Sequence, residues 1–221
     1  MINLDHYQTI IFDCDGVILN SNFQKIEAYR NAALEFGASK EQAESLVQHH
    51  VALTGISRYV KFEYFLNHIL KQKITEKNMN KLIQSLNKNV VKLLKSCEVA
   101  KGLDKLREST LDKKWIVASG GDQQEVRFLF ADKKIDHLFS YGIYGSPRSK
   151  HEIFEQELKD ISWYPALFLG DSLYDIQTAK KYDIDFLFVS DWTDLKDWKK
   201  ICKEYDVSSI KNIQALMNIK V

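Results

Sequence analysis

Apolar residues in this chain fall into short runs that stop abruptly at polar ones. Thr9–Phe12 (TIIF) is apolar and β-branched and ends at acidic residues and Gly16. Trp115–Ala118 (WIVA) ends at Ser119-Gly120-Gly121, and Ala166–Leu169 (ALFL) ends at Gly170-Asp171-Ser172. Asp185–Val189 (DFLFV) ends at Ser190-Asp191. Such brief runs, closed by Gly and polar residues, predict buried strands. Between the later runs the spacing turns helical, over Gln123–Ala131, His151–Leu158 and Tyr174–Tyr182. Strands alternating with helices predict an α/β fold with a doubly wound parallel sheet. Ligands of such sheets sit beyond the carboxyl ends of the strands, where the polar tips of these runs fall.

Residues 23–97 follow another pattern. Ile26, Tyr29, Ala33 and Phe36 keep a helical stripe that Gly37 can cap. Glu41–Leu53, Ile56–Leu70 and Glu76–Leu94 are equally helical, with breaks at Gly55 and Lys73–Thr75. This predicts a helical module inserted between the first and second core strands. The expected division is 1–19 and 98–221 for the core and 20–97 for the insertion, with hinges near Leu19–Asn22 and Lys95–Lys101. Tyr59, Phe62, Tyr64 and Phe65 fit a helix buried against its neighbours better than a substrate wall.

Composition narrows the function classes. The 221 residues are 45% hydrophobic, enough for a sizeable core. Lys and Arg number 31 against 30 Asp and Glu, so no basic field favours nucleic acid. The three cysteines, Cys14, Cys97 and Cys202, are odd in number and widely spaced, which suggests neither a disulfide framework nor a zinc site. No basic start with an apolar run opens the chain, and no apolar run approaches the length of a membrane span. A cytoplasmic protein with no membrane or nucleic-acid partner is expected. No motif fixes an oligomeric state.

The polar strand ends carry the candidate chemistry. Asp13 and Asp15 in Asp13-Cys14-Asp15-Gly16-Val17 lie two apart on an extended chain, so their side chains point the same way. One can act as nucleophile while the other handles protons; a turn-capping or metal-binding pair is the plainer alternative. Asp171 and Asp175, four apart at a strand-to-helix junction, offer hard oxygens suited to magnesium. Ser119 and the backbone amides after it can hold phosphate oxygens, and Lys150 can neutralise them.

In this order the four elements resemble the haloacid dehalogenase superfamily. The likeness covers roughly residues 7–19 and 98–190, and the helical insertion stands where the family's helical-cap subclass places it. The resemblance implies that Asp13 is the nucleophile of an aspartyl-phosphate. It implies that Asp15 is the acid that protonates the leaving oxygen and then the base that activates water. Ser119, with Gly120, would bind the phosphoryl group and Lys150 would steady its charge. Mg2+ would be held by Asp13, the Asp15 backbone carbonyl and Asp171, with Asp175 a further carboxylate of the site. Two departures stand out. Pro147 precedes Lys150 where the family often has Lys-Pro, which makes Arg148 a competitor. Val17 replaces a frequent Thr.

A carboxylate at position 15 separates the reactions of the superfamily. Dehalogenases lack an acid there and transport ATPases have Thr, whereas phosphate esters need their leaving alkoxide protonated. The expectation is a phosphatase for a small phosphorylated metabolite, a sugar phosphate foremost. The alternative is a sugar phosphomutase, because Leu53-Thr54-Gly55-Ile56-Ser57-Arg58 resembles the cap loop of β-phosphoglucomutase-like members. There Gly55 and Arg58 would meet a distal phosphate, and Arg58 can grip one with two hydrogen bonds. Such mutases keep a histidine in the first cap helix, where this chain has Lys25; His49 and His50 have no counterpart. A silent binding protein on the same fold is the third reading, and the presence of both Asp13 and Asp15 argues against it.

Overall fold

Residues 3–218 are described by a computed structural model of the chain. The outermost positions of the expected core, 1–2 and 219–221, lie outside the described residues. The strands β1 (Thr9–Phe12), β2 (Lys114–Asp122), β3 (Ile143–Ser146), β4 (Ala166–Gly170), β5 (Asp185–Val189) and β6 (Ser208–Ile210) form one parallel sheet. Their spatial order is β3-β2-β1-β4-β5-β6, so the chain reverses direction of travel between β1 and β4. β1 is buried along its whole length, as its TIIF run requires.

Four helices interrupt the sheet between β1 and β2: α1 (Asn22–Phe36), α2 (Lys40–Ala52), α3 (Arg58–Tyr64) and α4 (Glu76–Leu94). The remaining helices are α5 (Leu103–Ser109), α6 (Gln123–Asp132), α7 (Lys150–Glu157), α8 (Leu173–Lys181) and α9 (Trp198–Glu204). α4 buries Leu82, Leu86, Val90 and Leu94, a stripe repeating every four residues. Small residues Ala28, Ala32 and Ala33 of the facing α1 let the two helices approach. Gly37 ends α1 at φ +109°, where its N–H caps the carbonyls of Ala33 and Leu34. Phe62 and Phe65 are cap core, and α3 runs on into a π turn at Phe65–Ile69. Tyr64 is partly exposed and stacks on His49. The cap leaves and rejoins the core through paired strands of chain: Asn20 N–H donates to Glu98 O at 2.9 Å and Ala100 N–H to Ile18 O at 2.8 Å.

Three expectations need correction. β2 does not stop at Ala118 but continues through Ser119-Gly120-Gly121 to Asp122, with a register shift against β3. The third cap helix starts at Arg58, two residues after Ile56, because Ser57 caps it by accepting from Tyr59 N–H. The short strands β3 and β6 have no apolar run in the sequence. Each pairs on one side only, so IYGS and SSI need less apolar character than a central strand. Among the described residues no helix is long and apolar enough to cross a membrane.

Candidate active site

Strand register builds the site. Phe12 pairs with Val117 of β2 and with Leu169 of β4, so the next residues along these strands share one level. Asp13 continues the ladder, donating its N–H to Leu169 O at 2.8 Å. Asp13, Ser119 and Asp171 thereby arrive at the carboxyl edge of the sheet, at the reversal between β1 and β4. Asp175 comes from the first turn of α8. There Ser172 and Asp175 form a reciprocal capping box, Ser172 Oγ donating to Asp175 Oδ2 at 2.6 Å. Lys150 opens α7, whose own box of Ser149 and Glu152 fixes its start.

Asp13, Asp171 and Asp175 are buried and bring carboxylate oxygens within 4.8 Å of one another. Lys150 is equally buried, with Nζ 2.8 Å from Asp13 Oδ1 and also paired with Asp175. The approach to Asp13 is an ion pair without hydrogen-bond alignment. Asn22 Nδ2, from the first turn of α1, donates to Asp171 Oδ2 at 3.0 Å, while Asp171 Oδ1 is buried with no donor among the described residues. Gly16 makes the crowding feasible: at φ +78° it lies so close to Asp171 that a Cβ would come within 2.0 Å of Oδ2.

Charge and burial oppose each other here. Burial pushes Asp13 up to about 7; Lys150 pulls it down, while Asp175 and Asp15 add to the rise. Asp171 is driven well above the carboxylate range by burial and by Asp13 and Asp175. Lys150 is held above the lysine range, because the two carboxylates outweigh burial. Three clustered carboxylates, one with a bare buried oxygen, against a single lysine form a hard-oxygen set that fits a divalent cation such as magnesium. Asp175 has both oxygens engaged, by Lys150 and by Ser172, which leaves Asp13 and Asp171 as the freer donors.

Asp15 faces the cap. Lys25 Nζ lies 2.5 Å from Asp15 Oδ2 and Ser21 Oγ donates to Oδ1 at 2.6 Å. Burial alone would raise Asp15, yet the Lys25 charge and the two hydrogen bonds outweigh it and hold the carboxyl below its ordinary value. Ser119 is fully buried, and its Oγ accepts from Gly121 N–H at 2.9 Å. Arg148 turns away from the site, ion-paired with Glu157 at 2.7 Å, so Lys150 is the cation that the strand ends receive.

The cap is docked on this edge. Gly55 and Gly120 meet backbone to backbone: a Cβ on Gly120 would lie 2.3 Å from Gly55 O. Ser146 Oγ lies 2.9 Å from Ser57 Oγ, and Thr54 Oγ1 donates to Asp194 at 3.0 Å. Arg58 is buried and forks onto Glu125 of α6 at 2.9 and 3.0 Å. It also bonds Asn87. The space between cap and core is narrow, about 30 Å³. Asp13, Asp15, Lys25, Tyr29, His50 and Lys61 are among the residues that line it. Ser21, Asn22 and Lys25 share one face of the first turn of α1, a spacing that could have marked them. His50 and Lys61 carry no such signal, because which cap helix faces the sheet is set by tertiary packing.

The chain resembles solved structures along nearly its whole length. A haloacid dehalogenase-like family protein from Streptococcus pneumoniae matches at TM-score 0.69 and 18% identity, over 98% of this chain and 100% of that one. A protein described as a predicted phosphoglycolate phosphatase from Haemophilus somnus matches at 0.66 and 18%, over 85% and 87%. β-Phosphoglucomutase from Clostridium difficile matches at 0.66 and 19%, over 90% and 97%. At these identities the likeness is one of fold. A search of curated protein sequences returned no match. The family model described as haloacid dehalogenase-like hydrolase matches residues 10–189, which takes in the inner strands of the sheet, the cap and Asp13, Asp15, Asp171 and Asp175, and the chain therefore belongs to that family of hydrolases.

Proposed function

We propose that the protein is a magnesium-dependent phosphatase that hydrolyses a small phosphorylated metabolite through an aspartyl-phosphate on Asp13. The observation that carries this reading is the buried arrangement of Asp13, Lys150 and Asp171, in which Asp171 keeps an oxygen without a donor. Asp13 and Asp171 would hold the ion, with Asp175 fixing Lys150 behind them. Magnesium bound there supplies positive charge against the phosphoryl oxygens. Lys150 stays protonated and adds to that charge.

The Asp13 carboxylate attacks phosphorus and the ester oxygen leaves with the proton that Asp15 donates. Asp15 then takes a proton from water, whose oxygen attacks the same phosphorus and releases Asp13 and phosphate. Lys25 and Ser21 aim Asp15 across the cavity. A phosphate dianion entering beside Asp15 raises its affinity for the proton it must deliver. Ser119 and the backbone of Gly120 would orient phosphoryl oxygens. The cap excludes water during attack and opens for exchange, its hinges falling at the paired segments near residues 18–22 and 95–101. Those crossings support a division into a core of 1–19 and 98–221 and a cap of 20–97.

A mutase would need Arg58 free for a distal phosphate, yet Glu125 fills its fork in the docked cap. That contact favours hydrolysis over transfer to a sugar. The test is hydrolysis of p-nitrophenyl phosphate across a magnesium titration. Wild type should turn over only with the metal, and Asp13→Asn should fold normally by circular dichroism yet lose activity by about 10³-fold or more. Substantial residual rate in that variant would reject Asp13 as nucleophile. Glucose 1-phosphate supplied with a trace of its bisphosphate should yield phosphate rather than glucose 6-phosphate.

A further inference from the structure

Three cap cations line the cavity above Asp13: Lys25, Arg58 and Lys61. Lys25 pairs with Asp15 and Arg58 with Glu125. Lys61 is different. It is 2% exposed, and no carboxylate among the described residues pairs with it. Its Nζ donates to His50 Nδ1 at 2.9 Å and lies 5.6 Å from the centroid of the Tyr29 ring. His50 is itself buried and stacked on Tyr29 with centroids 4.0 Å apart. Burial, then the charge of Lys61, holds the imidazole well below its ordinary value, so it is a neutral acceptor rather than a counter-charge.

An ammonium enclosed with no carboxylate in contact is unfavourable in a poorly solvated site unless an anion arrives. Burial and then the charge of Lys25 pull Lys61 down to about 7, against the more distant charges of Asp194 and Asp15, which only partly offset them. An anion drawn into the cavity restores the full charge and gains from weak screening. Resting on the phosphatase reading above, we propose that Lys61, backed by His50, is a cap subsite for a second anionic group, so that the preferred substrates are phosphate monoesters bearing a carboxylate or a second phosphate at the end remote from Asp13.

A three-carbon series tests this. Glycerol 3-phosphate has a neutral tail, 3-phosphoglycerate a carboxylate and glycerol 1,3-bisphosphate a second phosphate. Wild type with magnesium should favour at least one of the charged-tail substrates over glycerol 3-phosphate by on the order of tenfold or more in kcat/KM, mainly through KM. Which of the two is preferred identifies the anion. Lys61→Met should collapse the ratio to about one, and Lys61→Arg should retain part of it. A wild-type ratio near one, or a ratio that survives Lys61→Met, overturns the subsite. Should Lys61→Met fail to fold, Lys61→Gln replaces it and the wild-type ratio still decides. p-Nitrophenyl phosphate is run in parallel. If it is not hydrolysed, the phosphatase reading fails separately, and calorimetric binding of the same three compounds to wild type and variant then decides whether Lys61 selects the charged tail.

Discussion

Asp13 and Asp15 stand two residues apart in opposite electrostatic surroundings. Asp13 is pushed up by burial and by the charges of Asp175 and Asp15, whereas Asp15, for all its burial, is drawn down by Lys25. Taken alone these shifts favour a protonated Asp13 and an ionised Asp15, the reverse of what attack and proton delivery require; a cation held by Asp13 and Asp171 would lower the first, and an incoming phosphate dianion would raise the second. The same scale holds a stability prediction at His50. Its folded value lies well below the ordinary 6.5, so its contribution to stability is present above that value and is lost as pH falls below it. The neighbouring Lys61, Lys25, Arg58 and His49 all oppose its protonation. On going from pH 7.5 to 5.5 wild type should therefore lose more thermal stability than His50→Gln. Parallel melting curves for the two proteins would count against a neutral buried imidazole.

At the scale of elements, α3 and α6 are joined by the Arg58–Glu125 fork, which holds the cap against the core. Removing one partner leaves the other buried and uncompensated. Glu125→Leu or Arg58→Met alone should cost about 3–5 kcal/mol, while the double change Arg58→Met/Glu125→Leu should restore stability to within about 1–2 kcal/mol of wild type. Urea melts of the two singles and the double form the cycle, and additive losses would show that the fork does not couple the helices. The glycines at positions 16, 55 and 120 belong to this scale too, since each lets one element approach another more closely than a Cβ permits.

At the scale of the molecule, the sheet edge concentrates negative charge that a bound cation would offset. Magnesium should therefore raise the melting temperature as its concentration rises, the added stability reaching about 2.7 kcal/mol at a hundredfold excess over Kd. Chelation should reverse the shift, and Asp171→Ala should abolish it. A melting temperature indifferent to magnesium, or a shift that persists in Asp171→Ala, would place the ion elsewhere. The docked cap leaves a narrow space of about 30 Å³ beside Asp13.

The legible part of the fold was the part under the strongest local constraint. Buried central strands must be apolar on both faces, so β1, β4 and β5 stand out in the sequence, and α4 announces itself by its Leu82–Leu86–Val90–Leu94 stripe. Edge strands β3 and β6 escaped because pairing on one side demands little of their side chains. The acidic strand ends were likewise readable, since Asp13, Asp171 and Asp175 follow apolar runs or cap a helix, and their spacing alone points to a shared crevice. The sequence by itself thus determined the four inner strands of the sheet, the inserted helices and the carboxylates of the candidate site. Only the tertiary structure decided what the cap adds to them: that Lys25 meets Asp15, that Arg58 is claimed by Glu125, and that Lys61 is enclosed beside His50 without a carboxylate. Those contacts join different elements, 10, 11 and 67 positions apart, and set which face of a helix looks inward, and neither follows from periodicity along the chain.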